Sequence, residues 1–262
     1  MPTDRAMDLL VLGCQAGMPA GGQASSGYLV TAGGCRILLD CGPGVAAMLS
    51  AHGGAGALDA IMVTHLHPDH CYDLLPIGIS LRRAARQAPL PVYLPSGGRA
   101  LLHGLGGLFP LGRDPRQDIA FPFAVREYRP GQVIRIGDCT ISLHGLRHVV
   151  ANCGIRIQDG PVSIAYTGDT GPDGALLELA RDADLLLAEA TLAVADAGDW
   201  GHLCATDAAQ AAASAGAAQL VLTHLGSADR QWGQARKAEA ARVFAGPVHL
   251  ASPGARYPAG RP

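Results

Sequence analysis

The run Thr64-His65-Leu66-His67-Pro68-Asp69-His70 packs three imidazoles and one carboxylate into a few consecutive positions. It follows an apolar stretch, Asp59–Val63, that reads as a buried strand, and it precedes Asp73–Arg86, whose apolar spacing is helical. A chain that leaves a strand and turns here can aim several side chains into one cleft. Imidazole and carboxylate are ligands that zinc, manganese and iron accept. A solvated surface turn gains nothing from so many titratable groups at this spacing. The run therefore points to a fold that sets a strand end at a polar cleft.

Three downstream positions carry a titratable residue beside a strand candidate. His148 lies just before the strand candidate Gly154–Ile157, with His144 as a rival four residues earlier. Asp169 follows the apolar strand Val162–Tyr166 between Gly168 and Thr170; the plain alternative is a helix cap. His224 follows Leu220–Leu222, where a satisfied core histidine is the alternative. Asp40, in Leu38-Leu39-Asp40-Cys41-Gly42, sits at another strand end. There it either orients a ligand imidazole from behind or serves as an ordinary turn aspartate. His52, His103 and His249 have no such setting.

The spacing of His65, His67, Asp69 and His70 is the His-x-His-x-Asp-His signature of the metallo-β-lactamase superfamily, which this chain resembles from end to end. The resemblance implies a four-layer αββα sandwich of α/β class. It assigns His65, His67 and His148 to one divalent ion, Asp69, His70 and His224 to a second, and Asp169 to both. Zinc is the expected metal and manganese the alternative. Two such ions, about 3.5–4 Å apart, can hold a hydroxide and stabilise a developing oxyanion. No side-chain nucleophile is then needed, and neither a G-x-S-x-G elbow nor a P-loop is present.

Ala188-Glu189-Ala190-Thr191, followed by Gly201-His202-Leu203-Cys204-Ala205-Thr206, resembles the phosphodiesterase branch of that superfamily. There the histidine matching His202 touches the scissile phosphate and protonates the leaving group; Glu189 would hold it in place. Segments around Leu12-Gly13-Cys14, Ser26-Gly27-Tyr28-Leu29, Tyr166-Thr167-Gly168-Asp169-Thr170-Gly171 and Phe244-Ala245-Gly246-Pro247-Val248-His249 are similar to actinobacterial cyclic-nucleotide phosphodiesterases, cousins of ribonuclease Z. The resemblance thus implies hydrolysis of a small cyclic phosphodiester, foremost a 3′,5′-cyclic nucleotide such as cyclic AMP, with Asp69 also orienting or deprotonating the nucleophile. The alternatives are ribonuclease Z-like RNA processing and a thioester or lactone hydrolase of a biosynthetic pathway. A metal-binding redox or sensing module is a different class, against which the full ligand set and His202 argue.

Strand candidates recur along both halves: Met7–Gly13, Tyr28–Thr31, Arg36–Asp40, Ala60–Thr64, Pro91–Leu94, Val125–Tyr128, Gln132–Ile136, Thr140–Leu143, Gly154–Ile157, Val162–Tyr166, Leu185–Glu189, Leu220–Thr223 and Val248–Leu250. Helices are expected at Val45–His52, Asp73–Arg86, Gly98–Leu105, Asp173–Ala180, Thr206–Ala215 and Gln231–Phe244, and a surface loop at Leu108–Pro122. Two sheets packed face to face with helices outside satisfy that pattern. With 48% hydrophobic and 16% charged residues and no linker-like break, residues 1–262 read as one globular domain.

The net charge of −2, with Arg82, Arg83 and Arg86 as the one basic run, disfavours an extended nucleic-acid surface. Ribonuclease Z also grips tRNA with a long arm inserted between the residues matching His148 and Asp169, and here Val149 to Gly168 leaves room for two strands and a turn at most. The expected partner is a small phosphodiester, not tRNA. Seven cysteines without a C-x-x-C pair suit reduced thiols and a cytoplasmic setting, and no segment approaches the roughly 20 apolar residues of a membrane span. A homodimer is compatible with the sequence.

Overall fold

The structure, a computed structural model, describes residues 7–84, 86, 88–109, 122–198 and 200–260. Most of the loop expected at Leu108–Pro122, with Arg113 and Arg116, lies outside the described residues. In chain order the elements are β1 (Met7–Gly13), β2 (Gly27–Ala32), β3 (Cys35–Leu39), α1 (Val45–Ser50), β4 (Ala60–Met62), α2 (Pro68–Cys71), α3 (Leu74–Arg83), β5 (Leu90–Pro95), α4 (Gly98–Leu108), β6 (Phe123–Tyr128) and β7 (Val133–Ile136). They continue with β8 (Cys139–Leu146), β9 (Asn152–Asp159), β10 (Val162–Tyr166), α5 (Gly174–Ala180), β11 (Leu185–Ala190), α6 (Ala205–Ala215), β12 (Leu220–Leu225), α7 (Arg230–Ala240), β13 (Val248–Leu250) and β14 (Arg256–Ala259).

Among the described residues the strands form two seven-stranded sheets, ordered β14-β1-β2-β3-β4-β5-β6 and β13-β12-β11-β10-β9-β8-β7. Each begins with antiparallel hairpins and continues with parallel strands: β3 to β6 in the first sheet, β10 to β13 in the second. Strands covered on both faces read as nearly continuous apolar runs, and Leu-Leu-Val-Leu in β1 shows why. Leu9 and Val11 enter the core between the sheets, against Ile141, Ile155, Ile164 and Tyr166. Leu10 and Leu12 face the opposite way, toward Val45 and Leu49 of α1 and Leu74 and Ile77 of α3. On the far side Ala205, Ala208, Ala209 and Ala212 lay one small-residue stripe of α6 onto the second sheet. The layers are therefore αββα, as the resemblance implies.

Among the strands and α-helices of the described residues, two lie beyond the sequence expectation. β14 pairs antiparallel with β1, Met7 opposite Ala259, so the C-terminal segment closes the first sheet rather than the second. Pro258 hid it, because proline reads as a strand breaker; at a sheet edge it is tolerated. α2 is a single helical turn with Pro68 at its first position, the one helical place where proline's missing N–H costs nothing. α3 also stops at Arg83 and α7 at Ala240, short of the expected Arg86 and Phe244. Among the described residues no helix is long and apolar enough to cross a membrane.

Candidate metal centre

The parallel strands of both sheets end on the same side, and the titratable residues singled out above project from those ends, where open α/β sheets place ligands. Thr64 leaves β4 with its backbone N–H 2.7 Å from Asp40 Oδ1. Asp40, the residue after β3, lies in the left-handed region, at φ 55. His65 and His67 follow, and α2 turns Asp69 and His70 back inward. Gly168 carries Asp169 off β10: its φ is 58, and a Cβ there would lie 2.6 Å from Asn152 Oδ1 and 2.8 Å from Thr64 Cβ, so only glycine fits. His224, next to last in β12, sits at φ 48. His148 comes from the loop after β8, where its Nδ1–H donates to Gly201 O at 3.0 Å.

Seven of these side chains converge in two groups. His65, His67, His148 and Asp169 offer donor atoms that all lie within 4.8 Å of one another, and so do Asp69, His70, Asp169 and His224. In the first, His67 Nδ1 is 3.0 Å from His65 Nε2 and 3.3 Å from His148 Nε2, and Asp169 Oδ2 is 3.7 Å from His65 Nε2. In the second, Asp169 Oδ1 is 3.3 Å from His70 Nε2 and 3.5 Å from His224 Nε2, while Asp69 Oδ2 is 3.1 Å from His224 Nε2. Asp169 thus turns one oxygen to each group. Its Oδ1 is buried without a hydrogen-bond partner among the described residues. A buried carboxylate oxygen facing imidazole nitrogens that do not satisfy it suits a cation. The donor set of imidazole and carboxylate, with no thiolate, suits zinc or manganese.

His144 stays outside both groups, its Nε2 paired with Ser142 Oγ at 3.0 Å. His103 is exposed, and His249 lies against the Tyr257 ring at 5.3 Å. Neither belongs to a donor group, nor does His52.

Behind the converging atoms, the remote ring nitrogens are anchored. His70 Nδ1–H donates to Asp40 Oδ2 at 2.7 Å, and Tyr166 donates its hydroxyl to the same oxygen at 2.7 Å. Gly17 N–H donates to Asp69 Oδ2 at 2.8 Å. Burial, reinforced by His70, holds His65 well below its ordinary pKa; burial, reinforced by His148, also lowers His67. Both rings therefore present lone pairs. Burial opposes charge on His70 too, but Asp169 and Asp40 outweigh it and raise that ring well above its ordinary value. Burial likewise acts to raise Asp69 and Asp169, and their histidine neighbours outweigh it and hold both carboxylates down. The carboxylates thus make a pocket that favours positive charge, which a divalent cation supplies in place of a proton.

His202 and Glu189 stand beside this centre. His202 Nδ1 is 2.8 Å from Glu189 Oε1, and its ring stacks on His224 at 5.8 Å and meets His148 edge-on at 5.0 Å. Burial lowers the His202 pKa, but the hydrogen bond and charge of Glu189 reverse that and raise it. Burial pushes the Cys14 and Cys71 thiols up to about 12 and Cys153 to about 11, which makes these three poor nucleophiles.

Sequence reasoning missed Thr64, Thr191 and Tyr166, the Gly17 amide and the Gly201 carbonyl. Thr64 precedes His65, and Thr191 follows Glu189 by two, so adjacency was a signal. What they touch depends on which strand ends meet, and a linear pattern does not carry that.

A family model described as a β-lactamase superfamily domain matches residues 35–225. The chain is 32% identical over 256 residues to the probable metallo-hydrolase YhfI of Bacillus subtilis, covering 95% of this chain and 98% of that one. The crystal structure of YhfI superposes with a TM-score of 0.85 at 29% identity, covering 97% of this chain and 100% of that one. A ribonuclease Z of Bradyrhizobium is 31% identical over 274 residues, covering 83% of this chain and 89% of the relative. A diphosphatase of the PhnP family shares the fold, with a TM-score of 0.73 at 19% identity over 97% of each chain.

Proposed function

The chain belongs to the metallo-β-lactamase-fold, metal-dependent hydrolases, and from that premise we propose that it is a phosphodiesterase for small cyclic phosphodiesters, foremost 3′,5′-cyclic nucleotides, working with two zinc or manganese ions. The observation that carries this reading is the His202–Glu189 pair beside both donor groups. An alkoxide is a poor leaving group and needs a proton; a thiolate does not. A histidine with a raised pKa, held by a buried carboxylate, is a proton donor suited to the alkoxide.

His65, His67 and His148 would hold one ion, Asp69, His70 and His224 the other, and Asp169 both. When bound, the ions supply a water of lowered pKa as nucleophile and offset the charge of the phosphoryl oxygens. Asp69, held below the ordinary carboxylate range after His224 and His70 outweigh its burial, is a weak base; its task is to hold and orient. His202 delivers its proton to the departing 3′ oxygen, which leaves a nucleoside 5′-phosphate. Glu189 keeps that imidazole charged and aimed.

The ribonuclease Z relatives favour RNA trailer removal as the second reading. Against it, the interval between His148 and Asp169 is taken up by β9, a turn and β10, with no arm. Arg86, one member of the basic run, donates Nη1 to Gly56 O at 3.0 Å and Leu58 O at 2.8 Å instead of standing free. The test is a hydrolysis screen of cyclic nucleotides, bis(p-nitrophenyl) phosphate, thioesters and lactones with zinc- and manganese-loaded protein. Turnover of cyclic nucleotides to 5′-monophosphates supports the proposal; thioester or lactone turnover with inert phosphodiesters refutes it.

A further inference from the structure

Two buried carboxylates each hold one imidazole directly and a second through a threonine hydroxyl. Asp40 takes His70 Nδ1 at 2.7 Å, and it also takes Thr64 Oγ1 at 2.9 Å, whose oxygen lies 3.1 Å from His65 Nδ1. Glu189 takes His202 Nδ1 at 2.8 Å, and it also takes Thr191 Oγ1 at 2.6 Å, whose oxygen lies 2.7 Å from His224 Nδ1. Both carboxylates are fully buried. We propose that Thr64 and Thr191 are positioning residues, one for each metal group: Thr64 sets His65 in the first and Thr191 sets His224 in the second. This rests on the two-ion reading above and adds to it what fixes each ring.

An ionised carboxylate only accepts, so at these distances each threonine must give its hydroxyl hydrogen to Asp40 or Glu189. A hydroxyl has one hydrogen. It can therefore only accept from the imidazole, which obliges Nδ1 of His65 and of His224 to carry a proton. The Nε2 lone pairs are left facing the converging atoms, the tautomer that a ligating histidine needs. Direct partners already do this for His70, through Asp40, and for His148, through Gly201 O. Among the described residues His65 and His224 have no such carboxylate or carbonyl partner at Nδ1, and the two threonines take that place.

The two relays belong to different groups, so each threonine governs one ion. Valine keeps the shape and removes the hydroxyl. Zinc titrations of the full chain against a chromophoric chelator should show one of the two ions bound about 10–100-fold more weakly in Thr191→Val, with the other unchanged. Thr64→Val should weaken one ion in the same way, and the double variant should weaken both. Thr191→Ser and Thr64→Ser keep the hydroxyl and should restore wild-type titrations. Wild-type titrations in both valine variants overturn the proposal, and so do serine variants that fail as the valine variants do, since then the methyl group matters and the hydroxyl does not. If a valine variant does not fold, nitrogen NMR of the zinc-loaded wild type decides instead: Nδ1-protonated His65 and His224 support the proposal, and Nε2-protonated rings refute it. A wild-type protein that binds no zinc sinks the metal-centre reading, a result separate from failure of the relays.

Discussion

His202 Nδ1 and Glu189 Oε1 stand 2.8 Å apart with the carboxylate wholly buried and the imidazole side chain 18% exposed. The buried partner cannot trade His202 for water, and the open edge of His202 can meet a substrate. This pairing predicts that His202→Ala lowers kcat on a 3′,5′-cyclic nucleotide by about 10²–10⁴-fold, the worth of a placed general acid. Metal content should not change. The defect should shrink on bis(p-nitrophenyl) phosphate, whose leaving group hardly needs a proton. Equal losses on both substrates would assign His202 to positioning alone.

The same pair sets a pH dependence. Burial alone would lower the His202 pKa, and the hydrogen bond and charge of Glu189 raise it. A proton donor works below its pKa, so activity should be lost as pH rises through the raised value. Glu189→Gln removes the charge that raises it. The alkaline limb of kcat/KM should then move to lower pH for the cyclic nucleotide and stay put for the nitrophenyl substrate. An unmoved limb in the variant contradicts the role given to Glu189.

Asp169 is the shared member of the two donor groups, with an oxygen toward each. Purified wild-type protein should carry close to two transition-metal ions per chain by elemental analysis. Asp169→Ala should reduce that content and lower kcat by at least about 10³-fold, or roughly 4 kcal/mol, the scale of losing a major electrostatic element. A variant with full metal content and near-normal turnover would remove Asp169 from the centre.

How much of this was legible in the chain depends on whether the signal was local. The run from His65 to His70 is contiguous, and β1, β10 and β13 have the bounds that their apolar runs give. Asp40 was open between two readings, and the partner that bears on them, His70 Nδ1 at 2.7 Å, comes from a different strand end that no local pattern names. β14 was not legible, because its pairing with β1 joins opposite ends of the chain and Pro258 argued locally against a strand. Thr64 and Thr191 were not legible for a related reason. A threonine at a strand end is ordinary; it gains meaning only when Asp40 of β3 lies beside β4, and when His224 of β12 lies beside β11.

The last prediction is that the protein cleaves 3′,5′-cyclic AMP and leaves a precursor tRNA with a 3′ trailer intact. Long RNA draws most of its affinity from neutralising several phosphates at once. A chain of net charge −2 has little surplus to offer, and Arg86 already donates to backbone carbonyls of its own fold. Arg156, the one basic residue between His148 and Asp169, points its Nη1 at Leu179 O at 3.0 Å and Arg181 O at 2.7 Å, inside the protein's own surface. β9 and β10 fill that interval and leave no arm to reach along a tRNA. A cyclic nucleotide presents a single phosphate, whose charge two divalent ions can neutralise without help. Side-by-side assays at equal enzyme and metal concentration settle the choice. Cyclic AMP turnover with uncut tRNA is the expected result; efficient trailer removal beside inert cyclic AMP reverses it and makes RNA processing the function.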